Sequence, residues 1–344
     1  MSARWILDYV YRSEKFGMVI ASFSNITLLS LLAFKASSSY GAYRNLMVAY
    51  TIVEIIYSFL SFWTEMAALS TDKAYVVFSY YYGYVDRSIA PFFLVDFCGI
   101  YFTLLLLLVV HFIYRYFVVC DFQKLNYFKG YRLAFWVSGC AISGFGSGFL
   151  KVFTFPENEQ FSNELRDDFM EFYNLTMDQV VYNGPNFYVC DGLGVCEKPI
   201  AVWATTLYLT AALFVSVFIM LFCGYQSTQK LNVKTSSTSA RTVELQKQLM
   251  KALIIQSAIP IVFMYIPIIL LFVAPMFHWG FGPYVNFAMA TLAIYPPIDQ
   301  FAIIYVIRDF RNAIKDFFTC KKKTVSPQAS AAFTTSRLSL KSNI

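Results

Sequence analysis

A chain of 344 residues that is 58% hydrophobic and 14% charged, with mean hydropathy +0.54, is not built like a soluble domain; those carry about 25% charged residues. The composition is that of a membrane protein. The net charge of +6 sits unevenly in the segments between apolar runs, which is a topology signature and gives no support to nucleic-acid binding.

Seven apolar runs, at roughly 16–34, 45–68, 91–114, 133–153, 200–224, 252–275 and 285–307, have the length needed to cross a hydrocarbon core, about 20 residues for ~30 Å. The expected fold is an all-α membrane protein, a seven-transmembrane helix bundle. The joining segments 35–44, 115–132, 225–251 and 308–344 hold 19 Lys and Arg, against 7 in 1–15, 69–90, 154–199 and 276–284. Basic residues favour the cytosolic side, so the N-terminus is expected outside and the C-terminus inside. The predicted segmentation is an extracellular N-terminus 1–15, a transmembrane domain 16–307, an amphipathic juxtamembrane helix 308–320 and a disordered cytoplasmic tail 321–344. With five charges in residues 1–15 and no small-residue cleavage site behind it, span one reads as a retained helix.

Span one carries the sequon Asn25-Ile26-Thr27, out of reach of glycosylation inside a bilayer. Span two carries Glu54, about ten residues from Arg44 and so ~15 Å below the inner surface. A carboxylate at that depth costs about 2.5–3.5 kcal/mol on insertion scales and is a functional candidate by default; the alternative is a protonated Glu bonded within the bundle. The outer segment 69–90 contains Tyr75, Tyr80, Tyr81, Tyr82 and Tyr84, expected as an interfacial aromatic belt rather than a lid.

Span three ends in His111-Phe112-Ile113-Tyr114-Arg115-Tyr116. With Arg115 at the inner border and turned into the bundle, Phe97, 18 residues earlier, falls on the same helix face, and Tyr101 about 40° from it. These two are expected to line an outer ligand cavity, with Met264 from span six. Asp96, about 100° off that face, is a third candidate from span three. Span four has small residues at four-residue spacing through Gly144 and Gly148, which lets helices approach closely. The segment 154–199 holds nine acids and two bases. Its Asn174-Leu175-Thr176 is a glycosylation sequon on the correct side. Its Cys190 and Cys196 flank a flexible Asp-Gly-Leu-Gly-Val stretch and are expected to pair; the alternative, a bond to Cys98 of span three, would place a disulfide within the bilayer, ~25 Å above Arg115.

The inner segment 225–251 leads through Arg241 and Lys247 into span six, where Pro260 and Pro267 each remove a backbone bond and permit a hinge. Span seven contains Tyr295-Pro296-Pro297 and then Asp299, predicted as a break in the helix followed by a buried acid. Asp299 is ~13 Å from the inner surface, close to the depth of Glu54. Two carboxyls that close rarely both ionise, so they are expected to share a proton or hold a cation. Phe310, Ala313, Ile314, Phe317 and Phe318 then recur at helical spacing, an amphipathic helix on the membrane surface. Cys320 beside Lys321-Lys322-Lys323 is a palmitoylation candidate.

Catalysis finds no support. The chain has two histidines, on opposite sides of the membrane, and no HExxH, phosphate-binding Gly loop or Cys/His ligand spacing. No enzyme activity, cofactor or metal is expected.

Three long motifs carry a family resemblance: His111 to Tyr116, Leu245 through Gln256 to Pro267, and Tyr295-Pro296-Pro297-Ile298-Asp299 through Arg311. With the span spacing and Tyr43-Arg44-Asn45-Leu46-Met47, the chain resembles nematode Str-type serpentine chemoreceptors over nearly its whole length. The resemblance implies an olfactory-type G-protein-coupled receptor in the plasma membrane of a sensory-neuron cilium. It implies a small, volatile odorant as ligand and a heterotrimeric G protein as partner, with membrane lipid and a receptor dimer as further partners. His111, Tyr114, Arg115, Tyr116, Arg241 and Lys247 would serve G-protein coupling. Glu54, Pro260, Pro267, Tyr295, Pro296 and Asp299 form the expected switch, Glu54 on physical grounds alone. One departure is Gln300 after Asp299, where family members often carry Pro. The alternatives are a ligand-gated cation channel or transporter of odorant-receptor type, which places its N-terminus inside, and a trafficking or dimer partner.

Overall fold

The computed structural model describes residues 3–35, 41–80, 86–87, 89–190, 195–233 and 240–319. Among them are seven helices long and apolar enough to cross a membrane: α1 (Arg4–Phe34), α2 (Ala42–Thr64), α3 (Ala90–Cys120), α4 (Tyr131–Thr154), α6 (Ile200–Val233), a composite of α7 (Ala240–Pro260) and α8 (Ile266–Val273), and α9 (Asn286–Val306). The short helix α10 (Arg308–Phe318) follows after Ile307, whose extended backbone ends α9. Its apolar residues follow the expected amphipathic pattern, and Phe310 is buried against the bundle.

The central helix is α3. Of its most apolar window 78% is buried, against 17% for α4, and it packs on α2, α4 and α6. It begins with Pro91 in its first turn, where the missing N–H would have had no partner anyway. Gly144 and Gly148 of α4 lie against α3: a methyl group at Gly144 would collide with Thr103 and the backbone of Gly99. That close approach is what the small-residue spacing in span four predicts. On the other side of the bundle Gly17 lets α1 touch the carbonyl of Ala293 on α9.

Prolines do not break the helices as expected. The helix α9 runs uninterrupted through Pro296 and Pro297. In α7–α8 the chain opens after Pro260 into a five-residue π-helical turn, Ile261–Tyr265, before Pro267 starts α8. A proline frees the carbonyl one turn before it, and in an apolar medium that oxygen needs another donor. Here neighbouring helices supply it. The Tyr57 hydroxyl of α2 donates to Leu292 O (3.4 Å), four residues before Pro296. The Thr291 hydroxyl of α9 divides its one proton between Phe263 O (2.9 Å), four before Pro267, and Ala288 O of its own helix (2.7 Å), and Tyr101 of α3 donates to Met264 O (3.0 Å) in the π turn.

The segments expected as loops at the N-terminal end build a cap. β1 (Met66–Ser70), β2 (Tyr75–Tyr80) and β3 (Val180–Asn183) form an antiparallel sheet in that order, with Ser70 opposite Tyr75 and Phe78 opposite both Ala67 and Tyr182. The amphipathic helix α5 (Glu159–Tyr173) covers it and buries Phe161, Leu165, Phe169 and Tyr173. Asn158 caps α5 by accepting the Phe161 N–H (2.9 Å). A separate small core joins Leu7 of α1 to Phe78, Phe169 and Val180. Residues 3–15 are therefore no free segment: α1 begins at Arg4, and the Ala3 N–H donates to Phe172 O. Nor do the tyrosines of 69–90 form only a belt, since Tyr75 is buried and stacks on Phe272 of α8 at 5.3 Å. Tyr81, Tyr82 and Tyr84 lie outside the described residues.

Candidate functional site

Two polar layers and one small cavity lie along the axis of the bundle. At the end that carries α10, Arg115 is 2% exposed. Its guanidinium carbon sits 3.7 Å above the Tyr43 ring of α2, and Nη1 donates to Gln246 Oε1 of α7 at 2.7 Å. Tyr43 in turn stacks on Tyr114 and meets His111 edge-on, and His111 contacts Tyr50. One charged side chain thus ties α3 to both α2 and α7. Its partner on α7 is a neutral amide, and Nε and Nη2 have no partner among the described residues. A single charge-assisted bond is worth about 1.5–3 kcal/mol, so the tie is breakable.

Glu54, Asp299 and Tyr295 meet near the middle of the bundle, all fully buried. The Tyr295 hydroxyl donates to Glu54 Oε1 (2.9 Å) and lies 2.6 Å from that of Tyr50. Gln256 Nε2 of α7 donates to Asp299 Oδ2 (3.0 Å). The two carboxyl groups are near enough to act on each other's charge, and one oxygen of each, Glu54 Oε2 and Asp299 Oδ1, has no hydrogen-bond partner among the described residues. Burying both as anions would set two like charges in one layer, which a single proton on the pair avoids. Five residues from three helices share one layer. Pro296 lies within α9 one turn before Gln300, and both are buried.

Toward the cap, Phe97, Tyr101, Phe272, Met289 and Leu292 surround a cavity of 30 Å³ roofed by Val77 of β2. That is the share of about one water molecule in the liquid. Phe97 and Tyr101 do face it, as helical spacing predicts. Asp96 does not: it is half-buried on another face of α3 and lines no part of this cavity. Met264 is fully buried in the π turn and meets Tyr101 through its carbonyl rather than lining the void. A wider crevice of 560 Å³ lies apart from these residues, at the α1–α2 edge by Tyr11, Lys15 and Glu65.

Residues 10–315 match the family described as serpentine type seven-transmembrane G-protein-coupled chemoreceptor Str. The chain belongs to that family. It is 27% identical over 334 residues to "Serpentine receptor class r-10" of Caenorhabditis elegans, covering 96% of this chain and 97% of that one. The Caenorhabditis briggsae protein of the same name is 29% identical over 329 residues, 94% of each chain. "G-protein coupled receptor str-33" of Caenorhabditis elegans is 27% identical over 311 residues, 88% of this chain and 89% of that one. The match spans the whole helix bundle, including both polar layers.

Within this Str receptor the remaining expected residues fall as follows. Lys247 is exposed on α7 and Tyr116 half-buried on α3, whereas His111, Tyr114 and Arg115 are buried and present no surface in this arrangement. The side chain of Arg241 and all of Cys320 lie outside the described residues. Asn174 is exposed at the end of α5 with a left-handed backbone. Cys190 and Cys196 are joined by a disulfide across the ribbon of β4 (Val189–Cys190) and β5 (Cys196–Glu197), and Cys98 is a free thiol.

Sequence reasoning did not find Gln246, Gln256, Tyr50 or Asn286. Each is a polar residue at a position that helical spacing turns into the bundle, a signal readable only once a partner is assigned across the bundle. The fully buried Asn286, at the start of α9, holds the cap. It accepts the Ala68 N–H (2.8 Å) and donates to Ala68 O and the Tyr173 hydroxyl (2.7 Å each).

Proposed function

We propose that this Str receptor is a chemosensory G-protein-coupled receptor, with the cap outside the cell and the α10 end in the cytosol. A small, mainly apolar odorant binds beneath the cap, against Phe97 and Tyr101. Because the cavity at rest has room for about one water, binding requires the β1–β2 hairpin to rise or the tops of α3 and α8 to separate. A ligand with better contacts to that open arrangement shifts the population toward it. Tyr75 on Phe272 is the lever that connects cap to α8, and the π turn after Pro260 is the hinge. Swinging α7 outward breaks the Arg115–Gln246 bond and uncovers Arg115, which joins Arg241 and Lys247 in meeting a G-protein α subunit. No covalent chemistry is involved. In this reading the receptor works in the plasma membrane of a sensory cilium, with Asn174 glycosylated and Cys320 palmitoylated.

The single observation that carries the reading is the tie from Arg115 to Gln246 across α3 and α7, inside a chain whose residues 10–315 match a chemoreceptor family. The test is ligand-driven nucleotide exchange on a G protein in cells expressing the receptor. Arg115→Ala combined with charge reversal at Arg241 and Lys247 should abolish it at equal surface expression. Normal signalling from that variant would sink the mechanism. An N-terminal epitope stained on intact cells is the expected result for the orientation; staining only after permeabilisation would favour a channel or transporter arrangement.

A further inference from the structure

Lys151 belongs to neither polar layer. A lysine in the last turn of a membrane helix ordinarily turns out to the headgroups, where water and the helix terminus both favour it. This one turns in. It is 4% exposed, its Nζ lies 3.4 Å from the Cys98 sulfur and 5.9 Å over the Phe272 ring. Its own backbone carbonyl accepts from the Asn183 amide of β3 (3.3 Å), which anchors this end of α4 to the cap. Among the described residues no carboxylate comes within ion-pair distance of it. A buried ammonium with a thiol and a ring face as its neighbours lacks the counter-charge that makes such burial tolerable.

Its position is what gives this a consequence. Lys151 lines the 30 Å³ cavity, and a neighbouring void of 10 Å³ shares Val77, Cys98 and Lys151 with it. Apart from the Cys98 thiol the rest of the cavity wall is aromatic and apolar, the Tyr101 hydroxyl being taken up by Met264 O. One donor-only group in an otherwise apolar pocket fixes both what the pocket takes and how the ligand lies. We propose that Lys151 is a ligand-recognition residue and that the ligand class is a small organic carboxylate. The carboxylate sits on the Lys151 ammonium in place of the weak thiol contact. The hydrocarbon body lies against Phe97, Tyr101 and Phe272 and displaces Val77 of the hairpin. This rests on the ligand site assigned under the proposed function and specifies its chemistry.

The test uses full-length receptor in lipid nanodiscs. Straight-chain carboxylates from butanoate to decanoate, together with benzoate and phenylacetate, are compared with the matching alcohols, amines and aldehydes. Binding is read by thermal shift and by displacement, and signalling separately by nucleotide exchange on a G protein. At least one carboxylate should bind tenfold or more tightly than its alcohol. Lys151→Met should erase that preference while leaving alcohol binding in place, and Lys151→Arg should retain it. The Tm of each unliganded variant checks folding. If no carboxylate outbinds its alcohol, or if the preference survives Lys151→Met, the proposal falls. An aldehyde trapped on Lys151 by borohydride, with carboxylates inert, would overturn it in favour of imine formation. Carboxylate binding without any G-protein response would keep Lys151 as the recognition residue and remove the signalling reading instead.

Discussion

Arg115 and Gln246 show how little energy need hold a receptor at rest. A guanidinium bonded to a carboxylate would lock α7 firmly; bonded to an amide it keeps a single charge-assisted hydrogen bond, 2.7 Å long. Gln246→Ala should therefore raise basal nucleotide exchange about tenfold, since about 1.4 kcal/mol shifts an equilibrium by that factor and the bond is worth at least as much. Gln246→Glu should lower it. Unchanged basal exchange in both variants would remove the tie from the mechanism. The Glu54–Asp299 contact lends itself to a similar experiment. Asp299→Asn leaves an amide that can still accept from Gln256 and can now donate to Glu54, so surface expression should persist while the activation threshold moves. A dose-response curve that superimposes on the wild type would separate the pair from the switch.

At the scale of the helix, prolines and hydroxyls have to be read together. Pro260 and Pro267 stand within the sixth span, and Pro296 and Pro297 within the seventh. From sequence they look like breaks, and the break predicted at Pro296-Pro297 does not occur. Tyr57 of α2 supplies the donor for Leu292 O, which Pro296 frees, and Thr291 of α9 does the same for Phe263 O, which Pro267 frees in the sixth span. The helices stay continuous but become dependent on their neighbours at those points. Thr291→Val should cost about 1 kcal/mol, the scale of an interhelical hydrogen bond in a membrane, seen as a lower Tm in detergent. It should also loosen α8 relative to α9 and raise ligand-independent signalling. A variant with wild-type Tm and wild-type basal activity would show that Phe263 O finds another donor.

For the molecule as a whole, the cap closes one end of the bundle. A three-stranded sheet and α5 rest on the helix ends, and one buried amide, Asn286, bonds at once to the β1 backbone and to Tyr173 of α5. Replacing it by Ala strands several buried polar atoms, each of which costs about 1–3 kcal/mol. Asn286→Ala should leave the helix bundle folded, by circular dichroism, but make the 159–173 segment cleavable by a protease that spares the wild type. Equal protease resistance would mean that the core around Phe78 and Phe169 holds the cap without Asn286.

Much of this was legible from residue order. The number of spans, the amphipathic α10, the close α3–α4 approach through Gly144, and the inward faces of Phe97, Tyr101 and Arg115 all follow from rules that act along a single helix. Length sets a span, small residues set approach, and 100° per residue sets facing. The depth argument even brought Glu54 and Asp299 to one level before any fold was known. What residue order left undecided needed partners from distant segments. Strands of five, six and four residues are too short to stand out, and they become a sheet only because β3, a hundred residues after β2, closes beside it. Asp96 and Lys151 make the same point in opposite directions. The acid is a pocket candidate by charge and lies off the cavity, while the lysine, in the last turn of a membrane helix where such side chains ordinarily reach the headgroups, lines it. Charge and depth are written in the sequence; whether a side chain turns toward lipid, water or a void depends on which helix stands beside it, and only the packed bundle determines that.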